Sequence, residues 1–230
     1  MSQLDFSVVF DNLPYLWQGL RFSLLLTAVA FAAGMVLGTG LALLQHLEVP
    51  VGAQLARGYV ALIRSIPLIL VLFWFFFLVP LMLGALMNGG RPMPIGGVWT
   101  AFITFSLFEA AYYSEIIRVG LRSVSKGQYE AAQALSLSTY KTYRFVILPQ
   151  VVRVTSPIIL NQTIILFQDT SLVYVLSLTD LVGAASKLAQ LNGRLVEMYL
   201  AVAAVYLVIC CTASQLVAYL RRRTQLNQNR

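Results

Sequence analysis

Long stretches without a charged side chain constrain this chain more than any other feature. Phe22–Leu44, Ile66–Met87 and Met198–Leu220 contain no Asp, Glu, Lys or Arg. A helix needs about 20 apolar residues to cross the hydrocarbon core of a bilayer, and each stretch is long enough. Only 11% of the residues are charged, whereas about a quarter are charged in a soluble domain. The chain is therefore predicted to be an all-α integral membrane protein.

Two further stretches are long and mostly apolar but contain polar interruptions, namely Trp99–Ile117 and Val151–Leu178. Together with the first three they predict five transmembrane helices within residues 20–220. Residues 1–19 mix apolar and polar side chains and include aromatic residues suited to the headgroup level. This segment is predicted to form an interfacial helix on the outer surface.

Basic residues are concentrated in two polar segments, and they predict the orientation. One segment lies between the third and fourth spans, and the other is the tail 221–230. Their basic side chains are Arg118, Arg122, Lys126, Lys141, Arg144, Arg221, Arg222, Arg223 and Arg230. Because cytoplasmic loops are rich in Lys and Arg, five spans place the N-terminus outside the cell membrane and the tail in the cytoplasm. The net charge of +7 then reflects topology rather than a nucleic-acid surface.

A polar insert, residues 120–144, separates the third span from the fourth. Its Glu130–Ala132 triplet favours helix, and Pro149 is compatible with the first turn of a new helix, where its missing N–H is no loss. The chain is therefore predicted to leave the membrane, form a short surface helix and re-enter at Leu148. Such a helix is only marginally stable alone. We expect it either to dock into a partner or to rest on lipid headgroups.

The insert also contains a pattern of fixed spacing. Glu130–Ala132 is followed after three residues by Ser136, and after nine more by Val146, which is separated by one residue from Leu148-Pro149. The matched positions are Glu130, Ala131, Ala132, Ser136, Val146, Leu148 and Pro149. This pattern resembles the cytoplasmic motif of the permease subunits of bacterial ATP-binding-cassette (ABC) importers. Ser136 replaces a glycine of the motif, and Val146 replaces an isoleucine. Glycine permits positive φ in a tight turn, so the serine leaves the geometry of that turn open.

Three more blocks extend the resemblance over nearly the whole chain. Ala56–Pro80, Phe108–Gln128 and Ile165–Leu181 look like the polar amino-acid branch of these permeases, and most like the permeases of glutamate/aspartate importers. The resemblance implies a single transmembrane domain over residues 1–230, with the type I ABC importer permease fold, in the bacterial inner membrane. It also implies that the insert is a coupling helix that docks into an ATPase subunit.

The resemblance implies a division of labour among subunits. This chain contains no G-x-x-x-x-G-K-[ST] sequence, so ATP and Mg²⁺ are expected on two partner ATP-binding subunits. No catalytic residue, cofactor or metal is expected in this chain. The other implied partners are a second permease subunit, homologous rather than identical, and a periplasmic amino-acid-binding protein. The implied function is import of glutamate/aspartate by alternating access, with glutamine or a basic amino acid as the alternative substrate.

The fourth span holds the densest polar set and is predicted to line the substrate path. At helical spacing, Gln162 lies near mid-membrane and Asp169 lies toward the outer edge, on the same face. The neutral side chain of Gln162 can donate hydrogen bonds to a carboxylate, which favours an acidic or amide amino acid over a cationic one. The candidate path residues are Ser65, Asn161, Gln162, Asp169, Thr170 and Ser171. The alternative for each is hydrogen bonding between helices alone.

Two features of the path concern helix ends and a buried acid. Asp169 and the two hydroxyl residues after it are typical of a helix N-cap, and a helix broken there would direct free N–H groups at a substrate carboxylate. Ser65 is predicted to open the second span in the same way. Glu109, inside the third span, would be an unfavourable neighbour for an anionic substrate. Protonation, pairing with Arg153 and pairing with a partner subunit all remain open for it.

Two other classes of protein are also rich in apolar spans. A secondary transporter usually contains internal repeats and about ten spans or more, which five spans would reach only as a dimer. The insert would then have no role. An intramembrane serine protease needs an activated nucleophile, but the sole histidine, His46, is predicted in a loop, and no G-x-S-x-G sequence occurs. Both interpretations are weaker than that of an ABC importer permease.

Overall fold

The computed structural model describes residues 4–226, and these residues form helices and connecting turns with no strand. The α-helices in this range are α1 (Ser7–Asp11), α2 (Leu13–His46), α3 (Gly52–Arg64), α4 (Leu68–Phe73), α5 (Val79–Met87), α6 (Gly97–Ser123), α7 (Lys126–Ala134), α8 (Thr139–Lys141), α9 (Leu148–Asp169), α10 (Leu181–Asn192) and α11 (Leu195–Leu226). Two π-helical turns, Trp74–Leu78 and Thr142–Ile147, and a 3-10 helix, Thr170–Leu176, connect some of them. The predicted all-α class is confirmed for this range.

Four helical stretches of the described range are long and apolar enough to cross a membrane, namely Leu13–His46, Leu68–Met87, Thr139–Leu176 and Leu195–Arg221. They correspond to four of the five predicted spans. The remaining prediction, Trp99–Ile117, falls in α6, a helix of 27 residues that is not among the four. Glu109, Glu115 and several hydroxyl side chains lower the mean hydropathy of α6. Length and composition therefore identify four crossings rather than five.

The separate helix near the N-terminus is much shorter than the predicted segment, residues 1–19. The separate helix α1 has only five residues, and α2 begins two residues after it, with Pro14 in its first turn. Proline favours that position because its missing N–H has no partner there anyway. Tyr15 and Trp17 therefore belong to the start of the first crossing. Residues 1–3 of the predicted segment, and Arg230 of the predicted tail, lie outside the described residues.

Two prolines each follow a π-helical turn. Pro80 and Pro149 are the second residues of α5 and α9, and the two π turns end directly before these helices. Proline cannot donate to the carbonyl four residues earlier, and its ring clashes with that carbonyl, so the helix widens just before it. Pro149 is thus the second residue of α9, but it lies within the continuous helical stretch Thr139–Leu176 and not at the start of a separate helix.

The described residues form two compact units. The first comprises residues up to Ala32, Pro67–Ser106 and Thr163–Ser214. Its core packs α10 against the start of α2 and against α11 through the buried side chains of Leu16, Leu181, Ala184, Ala185, Leu188, Ala189, Met198 and Val202. Gly19 permits this approach, because a Cβ there would lie 2.5 Å from the carbonyl oxygen of Asp180.

Helix α10 begins where a buried carboxylate caps it. The two side-chain oxygens of Asp180 accept hydrogen bonds from the N–H groups of Val182 and Gly183, both at 3.0 Å. Burial raises the pKa of Asp180 to about 6, against the opposing effect of those two hydrogen bonds. Gly193, with φ of 65°, ends the helix in the left-handed conformation typical of a C-terminal cap.

A charged cluster connects the N-terminal segment of this unit to the start of α11. The Arg194 guanidinium lies 3.1 Å from a carboxylate oxygen of Glu197 and 3.9 Å from one of Asp5. The backbone N–H of Asp5 donates to Glu197 at 3.2 Å. Hydrogen bonds from Ser7 hold the pKa of the Asp5 carboxyl below its usual range. These groups therefore fasten the N-terminal segment.

The second unit comprises Ala33–Ile66, Leu107–Gln162 and residues from Gln215 onward. Two glycines one turn apart let α2 approach α6 closely. A Cβ at Gly34 would lie 2.9 Å from the Cβ of Glu109, and one at Gly38 would lie 2.8 Å from the carbonyl oxygen of Ala110. Small residues allow such backbone approach between membrane helices. This unit carries the whole polar insert.

Candidate functional site

Helix α7 places the motif residues of the insert on two different faces. Glu130 and Ala131 are exposed, whereas Ala132 is only 2% exposed. Consecutive residues of an α-helix are about 100° apart, so the face that carries Glu130 points away from the buried face. The helix thus holds Ala132 inward and presents Glu130 for contact with another molecule.

The turn after α7 resolves the departure from the family motif at Ser136. This serine has a φ of +54°, in the left-handed region that glycine normally occupies. Its N–H donates to the carbonyl of Gln133 at 2.8 Å, and the N–H of Leu137 donates to that of Ala132 at 3.0 Å. This pair of bonds defines a Schellman C-terminal cap. The turn that glycine would favour is therefore formed by serine.

A small apolar cluster packs against the insert. Its buried members are Leu121 of α6, Val124 directly after α6, Ile147 at the end of the π turn and Val151 of α9. The partly buried side chains of Tyr129, Tyr143 and Val146 pack against it. In addition, the amide of Gln150 donates to that of Gln128 at 3.2 Å. The insert is thus fixed to the ends of the two helices that it connects.

The outer surface of the insert carries large apolar side chains. Leu135 is 74% exposed, Tyr140 is 73% exposed and Phe145 is 66% exposed. We call these three residues the apolar face of the insert. Sequence reasoning overlooked Tyr140 and Phe145, although two bulky rings within a mostly polar stretch are a signal for contact. Leu148 is exposed to a lesser degree, and Pro149 is also exposed.

Gln162 and Glu109 form a contact inside the second unit. The amide nitrogen of Gln162 donates to both carboxylate oxygens of Glu109, at 3.1 and 3.3 Å. Glu109 is only 1% exposed, and Gln162 is half-buried. The buried acid of α6 therefore has a neutral donor from α9 as a partner. Asn161, the neighbour of Gln162, is exposed instead.

The predicted N-cap at Asp169 is wrong. Asp169 has helical dihedral angles, φ −66° and ψ −22°, and its side chain makes no capping hydrogen bond. The chain narrows there from α-helix to 3-10 helix without a break. The buried hydroxyl of Thr170 donates to the carbonyl of Phe167 at 2.7 Å, so it satisfies the end of α9 locally. Ser171 is half-buried in the same 3-10 helix.

Ser65 also has a role different from the predicted one. It is the C-terminal cap of α3 and donates its hydroxyl to the carbonyl of Ala61 at 2.7 Å, while Pro67 occupies the position before α4. Its neighbour Arg64 lies 3.8 Å from Glu115, which is also paired with Arg118 at 2.5 Å. Ser65 is therefore next to an ion-pair cluster at the end of α3, not at a helix N-terminus.

Comparison with known proteins identifies the family to which this chain belongs. Residues 32–226 match the family described as "binding-protein-dependent transport system inner membrane component". The chain belongs to this family and is an inner-membrane permease component of such a transport system. A crystal structure of an amino acid ABC transporter with histidines has the same fold, with a TM-score of 0.85 and 29% identity over 96% of this chain and 99% of that chain.

Individual relatives narrow the comparison. The glutamate/aspartate import permease protein GltK of Escherichia coli O6:H1 (strain CFT073) is 46% identical over 226 residues, which cover 97% of this chain and all of that protein. The probable glutamine ABC transporter permease protein GlnM of Bacillus subtilis (strain 168) is 30% identical over 96% of this chain and 99% of that protein. The MetNI methionine transporter shares the fold, with a TM-score of 0.75 at 17% identity.

Proposed function

We propose that this chain is the membrane-spanning subunit of an ATP-driven importer of glutamate and aspartate. The observation that carries the proposal is the insert, which is fixed to its own unit on one face and presents Glu130 and the apolar face on the other. The exposed acid on this surface favours docking into a partner protein over resting on lipid headgroups, the other contact expected from the sequence. The 46% identity to a glutamate/aspartate import permease supports the substrate class.

The proposed topology has five crossings, with α6 as the third. Its 27 residues span about 40 Å at 1.5 Å per residue, more than the roughly 30 Å of hydrocarbon. Its most polar member, Glu109, is buried and paired with Gln162, so this carboxylate does not face lipid. The N-terminus then lies in the periplasm, and the insert and the C-terminal tail lie in the cytoplasm with their basic residues.

The proposed complex contains two ATP-binding subunits, a second, homologous permease subunit and a periplasmic amino-acid-binding protein. The ATP-binding subunits hold ATP and Mg²⁺. When they close on ATP, they displace the insert, and the spans tilt so that the central path opens alternately to the two sides. In this chain Glu130 and Ala131 contact the ATPase directly. Ala132, Ser136, Leu148 and Pro149 shape the insert for that contact.

Substitution of Glu130 tests the docking role. Glu130→Arg reverses the charge on the exposed face of α7, so the ATP-binding subunits should co-purify less well, or hydrolysis should no longer drive uptake. Gln190→Arg is the control, because it adds a positive charge to an exposed position of α10, on the opposite side in the proposed topology. Normal assembly and normal uptake in Glu130→Arg would refute the docking role.

The proposed path lies along α9 and the following 3-10 helix. Its residues are Asn161, Gln162, Asp169, Thr170 and Ser171, with Ser65 near its inner end. Because Glu109 is nearly inaccessible and receives both hydrogen bonds from Gln162, it presents little negative surface to an anionic substrate. This supports an acidic amino acid, with glutamine or a basic amino acid as the second candidate.

Gln162→Glu tests the path. It would place a second carboxyl group within about 3 Å of Glu109, so the two groups would share a proton and their negative charge would extend to the half-buried position 162. Glutamate uptake should then fall much more than glutamine uptake. The control is Asn161→Asp, which makes the same change of charge at the exposed neighbouring position. If Gln162→Glu depressed the uptake of both substrates equally, Gln162 would not belong to the path.

A further inference from the structure

The last residue of α2 is joined to the insert by a polar contact. Nε2 of His46 lies 3.1 Å from the hydroxyl oxygen of Tyr143, within hydrogen-bond distance. The two rings meet edge to face, with centroids 6.2 Å apart. His46 was expected in a loop, but it ends the long first helix and is half-buried. The contact therefore connects the first crossing to the segment that precedes α9.

Tyr143 in turn contacts α7. Its ring packs edge to face against that of Tyr129, with centroids 6.1 Å apart and an angle of 72° between the planes. Tyr129 directly precedes Glu130, and its hydroxyl is buried. A continuous line of side chains thus runs from the end of α2 to the residue next to the proposed ATPase contact.

Tyr143 lies in the π turn Thr142–Ile147, directly before α9. The turn is wider than an α-helix because Pro149, the second residue of α9, disfavours the tighter geometry. The rings of Tyr143 and Tyr129 pack against the apolar cluster that contains Ile147 and Val151. A displacement of α7 therefore reaches Tyr143 through direct packing.

We propose that His46, Tyr143 and Tyr129 act as positioning residues that transmit displacement of α7 to the end of α2. This inference rests on the proposed function, because it assumes that an ATPase moves α7. The apolar cluster fixes the insert to α6 and α9. Helix α2 already packs closely on α6 at Gly34 and Gly38, and the His46–Tyr143 hydrogen bond gives the end of α2 a direct contact with the insert. ATP-driven motion thereby reaches the end of α2 directly as well as through α6.

The test uses the complete complex with its ATP-binding subunits, reconstituted in proteoliposomes. Tyr143→Phe removes only the hydroxyl, His46→Phe keeps a ring without nitrogen, and His46→Gln restores a polar group at a similar reach. Tyr199→Phe is the control for loss of a phenolic hydroxyl, since Tyr199 is an exposed residue of α11. The readouts are basal ATPase activity, its stimulation by binding protein loaded with glutamate, and the melting temperature of the complex.

We expect basal ATPase activity within about twofold of wild type in every variant. The ratio of stimulated to basal activity should fall about threefold to tenfold in Tyr143→Phe and His46→Phe, the range of one hydrogen bond. The double variant should fall no further, because both changes remove the same contact. His46→Gln should recover part of the ratio, and Tyr199→Phe should leave it unchanged.

An unchanged ratio in both single variants would overturn the inference. So would multiplicative effects in the double variant, or losses that merely follow a lowered melting temperature. These outcomes are separable from failure of the proposed function, in which the wild-type chain would form no ATP-hydrolysing complex at all.

Discussion

Ser136 adopts a conformation that costs free energy, and glycine at the same position should relieve it. The left-handed region costs a residue with a side chain about 1 to 2 kcal/mol, whereas glycine enters it freely. Glycine also has more freedom in the unfolded segment, which offsets roughly half of the gain. We therefore expect Ser136→Gly to stabilise the turn by about 0.5 to 1 kcal/mol, provided that the two capping hydrogen bonds persist.

Amide hydrogen exchange is the appropriate assay, because the gain concerns a local turn rather than the whole membrane domain. A gain of about 0.5 to 1 kcal/mol corresponds to roughly a twofold to fivefold increase in protection of the Ser136 and Leu137 amides, which donate the capping bonds. Exchange of the amides in α9 should not change.

The sequence provides a matched control two residues away. Ser138 precedes α8 in an extended conformation, φ −64° and ψ 154°, and its hydroxyl accepts from the N–H of Lys141 at 3.4 Å. Ser138→Gly relieves no backbone strain and removes a weak capping hydrogen bond. The protection of the amides in this segment against exchange should therefore fall by a few tenths of a kcal/mol. If Ser136→Gly lowered protection, or if both variants changed it in the same direction, the argument from backbone strain would be refuted.

Two further predictions concern packing and pH. Gly38→Ala should destabilise the detergent-solubilised protein by about 1 to 3 kcal/mol through its clash with Ala110. Gly40→Ala is the control, because the added Cβ would have open space around it, and it should gain up to about 1 kcal/mol of stability from helix propensity. Equal melting temperatures for the two variants would contradict the close packing at Gly38. Burial raises the pKa of Asp180 to about 6 in the folded protein. The contribution of the protonated carboxyl group to stability is therefore fully present below about pH 4 and is lost as the pH rises through 6. Asp180→Asn should therefore gain stability relative to wild type between pH 4 and 7, on the order of 2 kcal/mol, and a difference independent of pH would contradict burial of this acid.

Much of the architecture could be predicted from local signals. Four charge-free or nearly charge-free stretches coincide with long helices, because apolar length is a local property of the chain. Proline geometry also indicated a change at Leu148-Pro149, where a π turn ends, although the helical stretch continues through it. For α6, the carboxylates lower the mean hydropathy, although Glu109 is buried against Gln162, a partner 53 positions away in the chain. Hydropathy cannot register such a pairing.

The errors at helix ends have a different cause. Asp169 fits the composition of an N-cap, but whether a helix breaks depends on the competing bonds available. Here the hydroxyl of Thr170 donates to a carbonyl of the preceding turn, and the α-helix continues as a 3-10 helix instead of ending. Ser65 likewise bonds back to Ala61 and ends a helix rather than beginning one. Serine and threonine favour both ends of helices, so composition alone does not distinguish these outcomes.

Cross-linking from the apolar face of the insert tests the central claim most directly. With Cys210 and Cys211 replaced by serine, Leu135→Cys provides a single thiol on a side chain that is 74% exposed. In membranes that contain the whole transport complex, a short thiol-reactive cross-linker should join this residue to an ATP-binding subunit, and glutamate import should stop. Labelling of the same thiol by a membrane-impermeant reagent from the periplasmic side, with no cross-link to that subunit, would contradict the account.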